Sequence, residues 1–194
     1  MTDKKQYVCV VAITGSTYTG DGPTRQECGS MGAGKSTFAD MMVDNIRRAV
    51  ANPLASRSVH RMSLAEPLKT AVSNIWGIDG FTAEKEVPID IGLDKPITTR
   101  RLLQLFGTAG VRQGFGLALE AEGYAAPGDS CVWARALLHR AQAIAQKTRR
   151  TTYVVVDDVR FPDELDAFIR TAPLVMHIHV SRRVDAGSAQ ASWG

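Results

Sequence analysis

The sequence predicts an α/β fold, a mostly parallel central sheet with helices on both faces in three layers. Two apolar runs, Val8–Ile13 and Tyr153–Val156, have the length of buried strands. The segments between such runs carry helical periodicity, and alternating strand and helix patterns favour parallel pairing. The chain has 194 residues, 44% hydrophobic and 22% charged, which suits one globular domain spanning 1–194. A domain of that size buries about 70% of its unfolded surface and needs no metal or disulfide staple.

The elements follow in order. Val8–Ile13 reads as a buried strand. Lys35–Val50 reads as a helix, with Phe38, Met41, Met42, Ile46 and Val50 on or near one face. Ser58–Met62 is a short strand. Glu66–Trp76 is helical, with Pro67 in the first turn, where a missing N–H costs nothing. Thr98–Phe106 is helical and Gly107 is expected to stop it. Ser130–Lys147 is a longer, alanine-rich helix whose basic end, Lys147, Arg149 and Arg150, suits the negative pole of the helix dipole. Tyr153–Val156 is a second buried strand. Pro162–Arg170 is a helix opened by proline and two acids. Leu174–Val180 alternates around His177 and His179 as a third long strand. Gly15–Gly29 and Gly77–Ile97 read as loops, and 184–194 as a loose tail.

Composition excludes several classes. No apolar run approaches the roughly 20 residues of a membrane span, so no membrane partner is expected. Lys4 and Lys5 precede an apolar run that ends at Thr14, which suits a buried strand better than a signal peptide. Three cysteines without metal-ligand spacing suggest a reduced, cytoplasmic protein (host cytoplasm, if phage-encoded), and no zinc site is proposed. The net charge of +3 does not establish nucleic-acid binding; it suits local clusters of Lys and Arg that handle phosphates.

One motif carries chemistry. Gly29-Ser30-Met31-Gly32-Ala33-Gly34-Lys35-Ser36 fits G-x-x-x-x-G-K-[ST] and runs into the helix at Thr37. Such a loop turns successive backbone N–H groups inward as an anion nest, and the helix adds its positive end. Lys35 would reach the β- and γ-phosphates of ATP, and the Ser36 hydroxyl would ligate Mg²⁺. The fold expected from this motif is that of the P-loop NTPases. The loop normally follows its strand directly, yet Ile13 and Gly29 are far apart. Removing the 14 residues 16–29 restores G-x-x-x-x-G-K-S with Gly15 as first glycine, so Gly15 and Gly29 compete for that place. The expectation is a loop insertion at 16–29, either a solvated excursion or a lid or polymer-binding loop using Tyr18 and Arg25.

Further segments point to a family. Leu64-Ala65-Glu66-Pro67-Leu68-Lys69 leads into Trp76-Gly77. Arg100-Arg101-Leu102-Leu103-Gln104-Leu105-Phe106-Gly107-Thr108 gives R-R-L-x-Q-x-x-G-T. Trp133 follows, and Asp158-Val159-Arg160-Phe161-Pro162-Asp163-Glu164 gives D-V-R-F-P-x-E. From about residue 7 to 180, this order resembles the phage-type deoxynucleoside monophosphate kinases. The resemblance implies transfer of the ATP γ-phosphoryl group to the 5′-phosphate of a deoxynucleotide. It implies that Lys69, Arg100 and Arg160 bind the acceptor phosphate or the transferring group, and that Trp133 borders the acceptor nucleoside. Asp158 and Glu164 would orient acceptor-site groups, with Asp158 also near Mg²⁺. The segment 77–97 would be an acceptor-side flank. Which of Arg100 and Arg101 faces the site stays open, as does Asp157 against Asp158, although the D-V-R wording favours Asp158.

These roles agree with phosphoryl-transfer chemistry, which asks for positioning and charge neutralisation more than covalent work. Arginine suits it, because its planar fork binds phosphate bidentately. Family members continue past the last matched strand into a further strand and helix, and no such segment is found here; a homodimer could cover the adenine-side edge. Two other readings stand beside the nucleotide kinase: a kinase acting on a hydroxymethylated pyrimidine within DNA, and a non-catalytic nucleotide-binding module.

Overall fold

The computed structural model describes residues 7–19, 26–29, 33–51, 57–78, 85–124 and 131–184. The chain divides into two compact units, one of residues 1–63 with 138–194, the other of residues 64–137.

The first unit is built on a five-stranded sheet. Strand β1, Val8–Thr19, lies at its centre. It pairs in parallel with β6, Thr151–Val156, on one edge and with β7, Leu174–Arg183, on the other. Strand β3, Arg57–Met62, joins the far side of β6, also in parallel. The four parallel strands therefore run β3-β6-β1-β7. Counted among themselves in chain order, that is second, third, first, fourth.

Both faces of this sheet are covered at β1 and β6, whereas much of β7 is exposed. Helix α1, Lys35–Ala49, sets Ala39 and Val43 against Val11, Ile13 and Val155. Phe38, Met42 and Ile46 pack around them, while Met41, expected on that face, is 57% exposed. The alternate residues Val10, Ala12, Val154 and Val156 point the other way and are equally buried. That double burial explains why β1 and β6 read as continuous apolar runs rather than alternating ones. Helix α5, Val132–Thr148, carries a buried stripe of Leu138, Ala141 and Ala145 within this unit, and α6, Pro162–Thr171, buries Ala167 and Phe168.

The expected loop at Gly15–Gly29 is corrected. Strand β1 continues to Thr19, and Gln26–Gly29 forms an antiparallel strand, β2, beside it. The physical cause is β7, whose backbone pairs with β1 as far as Tyr18↔Arg183 and supports a Ser-Thr-Tyr-Thr run of good strand formers. Thr17 and Tyr18 pair with β7 and β2 at once, so β2 lies on the β6 side of β1. Pairing to β6 ends at Ala12↔Val156 and pairing to β2 begins at Thr17. Among the described residues, Ile13–Ser16 has no strand partner on that edge.

The second unit is mainly helical. Helix α2, Glu66–Trp76, ends at Gly77 in the left-handed conformation with φ 68°. The flank 77–97 contains a minimal antiparallel pair, β4 at Pro88–Ile89 and β5 at Ile97–Thr98. Thr98 caps α3, Thr99–Gln104, by accepting the Arg101 N–H. The expected stop at Gly107 is corrected: the helix widens to π pitch over Leu105–Phe115 and returns to α over α4, Gly116–Ala121. Gly107 serves close packing instead. A Cβ there would stand 2.5 Å from Leu68 Cδ2, and the Gly107 carbonyl accepts the Trp133 indole N–H at 3.2 Å. Trp76 meets Phe106 edge to face at 5.6 Å between ring centroids.

Candidate phosphate-handling site

The site grows from Gly15 in β1, just past the point where the pairing with β6 ends. Gly34 occupies the left-handed region at φ 88°, where a side chain would be strained, and gives α1 its N-terminus. Lys35, the first residue of α1, then lies back across β1. A Cβ at Gly15 would stand 2.9 Å from Lys35 Cγ and 2.7 Å from the Val180 carbonyl oxygen. Gly29 is elsewhere, in β2 opposite Thr17. Of the two glycines that compete for the first place of the motif, Gly15 is the one beneath Lys35. Ala33 is buried, and Ser30, Met31 and Gly32 lie outside the described residues, as does Arg25.

The next side chain, Ser36, donates its hydroxyl to Asp157 Oδ2 at 2.7 Å. Asp157 follows directly after β6, so the parallel pairing of β6 with β1 delivers its carboxylate to the start of α1. The same oxygen accepts Arg61 Nη2 at 2.6 Å, and Arg61 Nη1 reaches Asp40 Oδ1 at 2.6 Å. Asp158 points to a different partner and accepts the Ser63 hydroxyl at 2.6 Å. Of the two adjacent acids, Asp157 is therefore the one tied to the motif.

Electrostatics separates these groups. Burial pushes the Asp157 carboxyl up, but the bonds from Arg61 and Ser36 and the guanidinium charge outweigh it and hold the group below the usual carboxylate range. Lys35 is pushed down, first by burial and then by the positive charge of Arg160, with Asp157 opposing. The like charge of Arg160 thus disfavours the Lys35 ammonium.

Arg160 is exposed on the turn between Asp158 and α6. Glu164, 4% exposed, shapes that turn: its Oε2 accepts the N–H of Arg160 at 2.8 Å and of Phe161 at 3.1 Å. It orients Arg160 through the backbone while capping α6. On the face of β1 away from Lys35, the Thr14 hydroxyl bonds His177 Nε2 and His179 Nδ1, and Ser16 bonds His179 Nε2.

The remaining expected residues belong to the second unit. Lys69 is half-buried in the first turns of α2. Arg100 pairs with Glu86 of the flank 77–97, and its N–H donates to the Lys85 carbonyl. Trp133 is half-buried, its ring anchored on Gly107.

Arg61 and Asp40 are site residues that the sequence did not announce. Their signal was weak: Asp40 stands four residues after Ser36, on the same helix face, and Arg61 interrupts a strand.

In comparison with known proteins, no family model matches the chain and no curated protein matches it significantly. No helix among the described residues is long and apolar enough to cross a membrane.

Proposed function

We propose that this chain is a P-loop kinase that passes the γ-phosphoryl group of ATP to the 5′-phosphate of a deoxynucleoside monophosphate. An acceptor phosphate oxygen bonds to the γ-phosphorus, the bond to the β–γ bridging oxygen breaks, and ADP and a deoxynucleoside diphosphate leave. The observation that carries the reading is the Ser36–Asp157 hydrogen bond at 2.7 Å, made where Lys35 crosses Gly15. It joins a motif hydroxyl to a carboxylate at the end of the neighbouring parallel strand, the edge where open α/β sheets bind ligands.

The donor set fits the implied partners. A hydroxyl and a carboxylate are the hard oxygen donors that Mg²⁺ prefers. Ser36 and Asp157 would hold the ion and its waters; when bound, it neutralises phosphate charge. Lys35 and Arg160 supply the positive charge that lets two anions approach. Glu164 fixes the turn that presents Arg160. Strand order supports a P-loop kinase fold, because β1 lies between β6 and β7 and is followed by the motif. The acceptor roles of Lys69, Arg100 and Trp133 rest on the R-R-L-x-Q-x-x-G-T and D-V-R-F-P-x-E wording.

The test is transfer of label from γ-labelled ATP in Mg²⁺ to each deoxynucleoside monophosphate, to hydroxymethyl-dUMP and to hydroxymethylated duplex DNA. Label on free nucleotides supports the proposal. Label on DNA alone favours the polymer kinase, and ATP binding without transfer favours the non-catalytic module.

A further inference from the structure

Three hydrogen bonds link four side chains in the first unit, Ser36 to Asp157, Asp157 to Arg61 and Arg61 to Asp40, and one turn of α1 backbone, rather than a fourth bond, completes the ring from Asp40 to Ser36. From this ring we infer that Arg61 is a positioning residue for cation binding, acting through Asp157 on Ser36. The inference rests on the proposed Mg²⁺-nucleotide site and names a residue that neither the motif nor the resemblance includes.

A serine hydroxyl has one proton and two lone pairs. In the ring the proton is committed to Asp157 Oδ2, so the lone pairs are what Ser36 offers a cation. That arrangement holds only while Oδ2 faces α1. Arg61 secures this orientation, because Nη2 bonds the same oxygen at 2.6 Å. The guanidinium is in turn fixed from its other side by Asp40 at 2.6 Å. A fork with two separate N–H groups can hold two carboxylates in one plane; the single ammonium of lysine has no such fixed geometry. Asp40 and Asp157 come from different elements, α1 and the end of β6, so Arg61 on β3 ties both to its own strand.

An ordinary surface ion pair contributes little and tolerates loss. The Arg61–Asp157 bond differs in that Asp157 is 8% exposed and shares its oxygen with a motif residue. Partners one step removed from a metal ligand, which set its orientation, typically change metal affinity by about 10–100-fold when removed.

The experiment is calorimetric titration of the full-length protein with ADP, with and without Mg²⁺, and across Mg²⁺ concentrations. The readout is the ratio of ADP affinities in the two conditions and the Mg²⁺ midpoint. Arg61→Ala is expected to raise that midpoint by about 10-fold or more and to shrink the ratio correspondingly. Arg61→Lys is expected to fall between Arg61→Ala and wild type. Asp40→Asn, at a largely exposed side chain, is expected to shift the midpoint in the same direction by a smaller factor. If Arg61→Ala does not fold, Arg61→Lys and Asp40→Asn carry the test. A wild-type midpoint in these variants overturns the inference, as does an equal loss of ADP affinity with and without Mg²⁺, which marks a merely structural role. Wild-type protein whose ADP binding ignores Mg²⁺ overturns the parent proposal as well, so the two failures are distinguishable.

Discussion

The aliphatic stem of Lys35 lies across Gly15 so closely that a Cβ at Gly15 would come within 2.9 Å of Lys35 Cγ. The contact joins two residues that the sequence separates by a strand extension and β2. It also predicts which glycine matters. Gly15→Ala must displace Lys35 or the Val180 carbonyl, at a cost of about 1–3 kcal/mol for overpacking. If the displacement falls on Lys35, nucleotide affinity drops by roughly tenfold for each 1.4 kcal/mol. Gly29→Ala, opposite Thr17 in β2, is expected to leave affinity near wild type. ADP titration of the two variants checks this.

The two neighbouring acids make a second contrast. Asp157→Asn keeps the shape of the ring but weakens the acceptor of both Ser36 and Arg61. It is expected to lower kcat by about two orders of magnitude, the scale of losing a positioned electrostatic group. Asp158→Asn disturbs the bond from Ser63 and is expected to cost about 1 kcal/mol of stability with a much smaller effect on kcat. Steady-state kinetics beside thermal melts separates the two.

Asp157 also gives a pH dependence. Its folded carboxyl is held below the ordinary value of 3.8. The native state therefore favours the carboxylate, and this contribution is fully present above the unfolded value. It is lost as pH falls below 3.8 and through the folded value. Urea melts of wild type and Asp157→Asn between neutral pH and that window are expected to converge as the pH falls.

Lys35 behaves in the opposite sense. Burial and Arg160 both oppose its charge, so the folded protein holds an ammonium that is strained electrostatically. Replacing it by an uncharged chain of similar length, Lys35→Met, is expected to leave the melting temperature unchanged or raised while abolishing ADP binding. A residue kept for function at a cost in stability is a common trade. Differential scanning calorimetry with and without ADP reads both effects.

In the second unit, Gly107→Ala is expected to destabilise by about 1–3 kcal/mol, because the new methyl group meets Leu68. Trp133→Phe removes the indole bond to the Gly107 carbonyl and is expected to cost about 0.5–1.5 kcal/mol. Chemical denaturation checks both.

Much of the architecture was legible from local pattern. The Glu66–Trp76 helix was bounded by Pro67 and Gly77, and the apolar strands stood out because both their faces are buried. What was not legible depends on pairing at long range. The extension of β1 through Thr19 needs β7, which is distant in sequence, to supply its backbone partners. Gly107 looked like a stop because a glycine after a helical run usually is one; its contact with Leu68 cannot be seen from spacing. The choice between Asp157 and Asp158 turned on which carboxylate leaves β6 facing α1. Arg61 was invisible for the same reason: a strand arginine acquires meaning only when Asp40 and Asp157 are brought to either side of it.

The most direct measurement is phosphoryl transfer from γ-labelled ATP to deoxynucleoside monophosphates in Mg²⁺, run on wild type and Lys35→Ala. Label is expected on a deoxynucleoside diphosphate with wild type and not with Lys35→Ala. Absence of labelled diphosphate with every deoxynucleotide tried, or transfer that survives in Lys35→Ala, would contradict it.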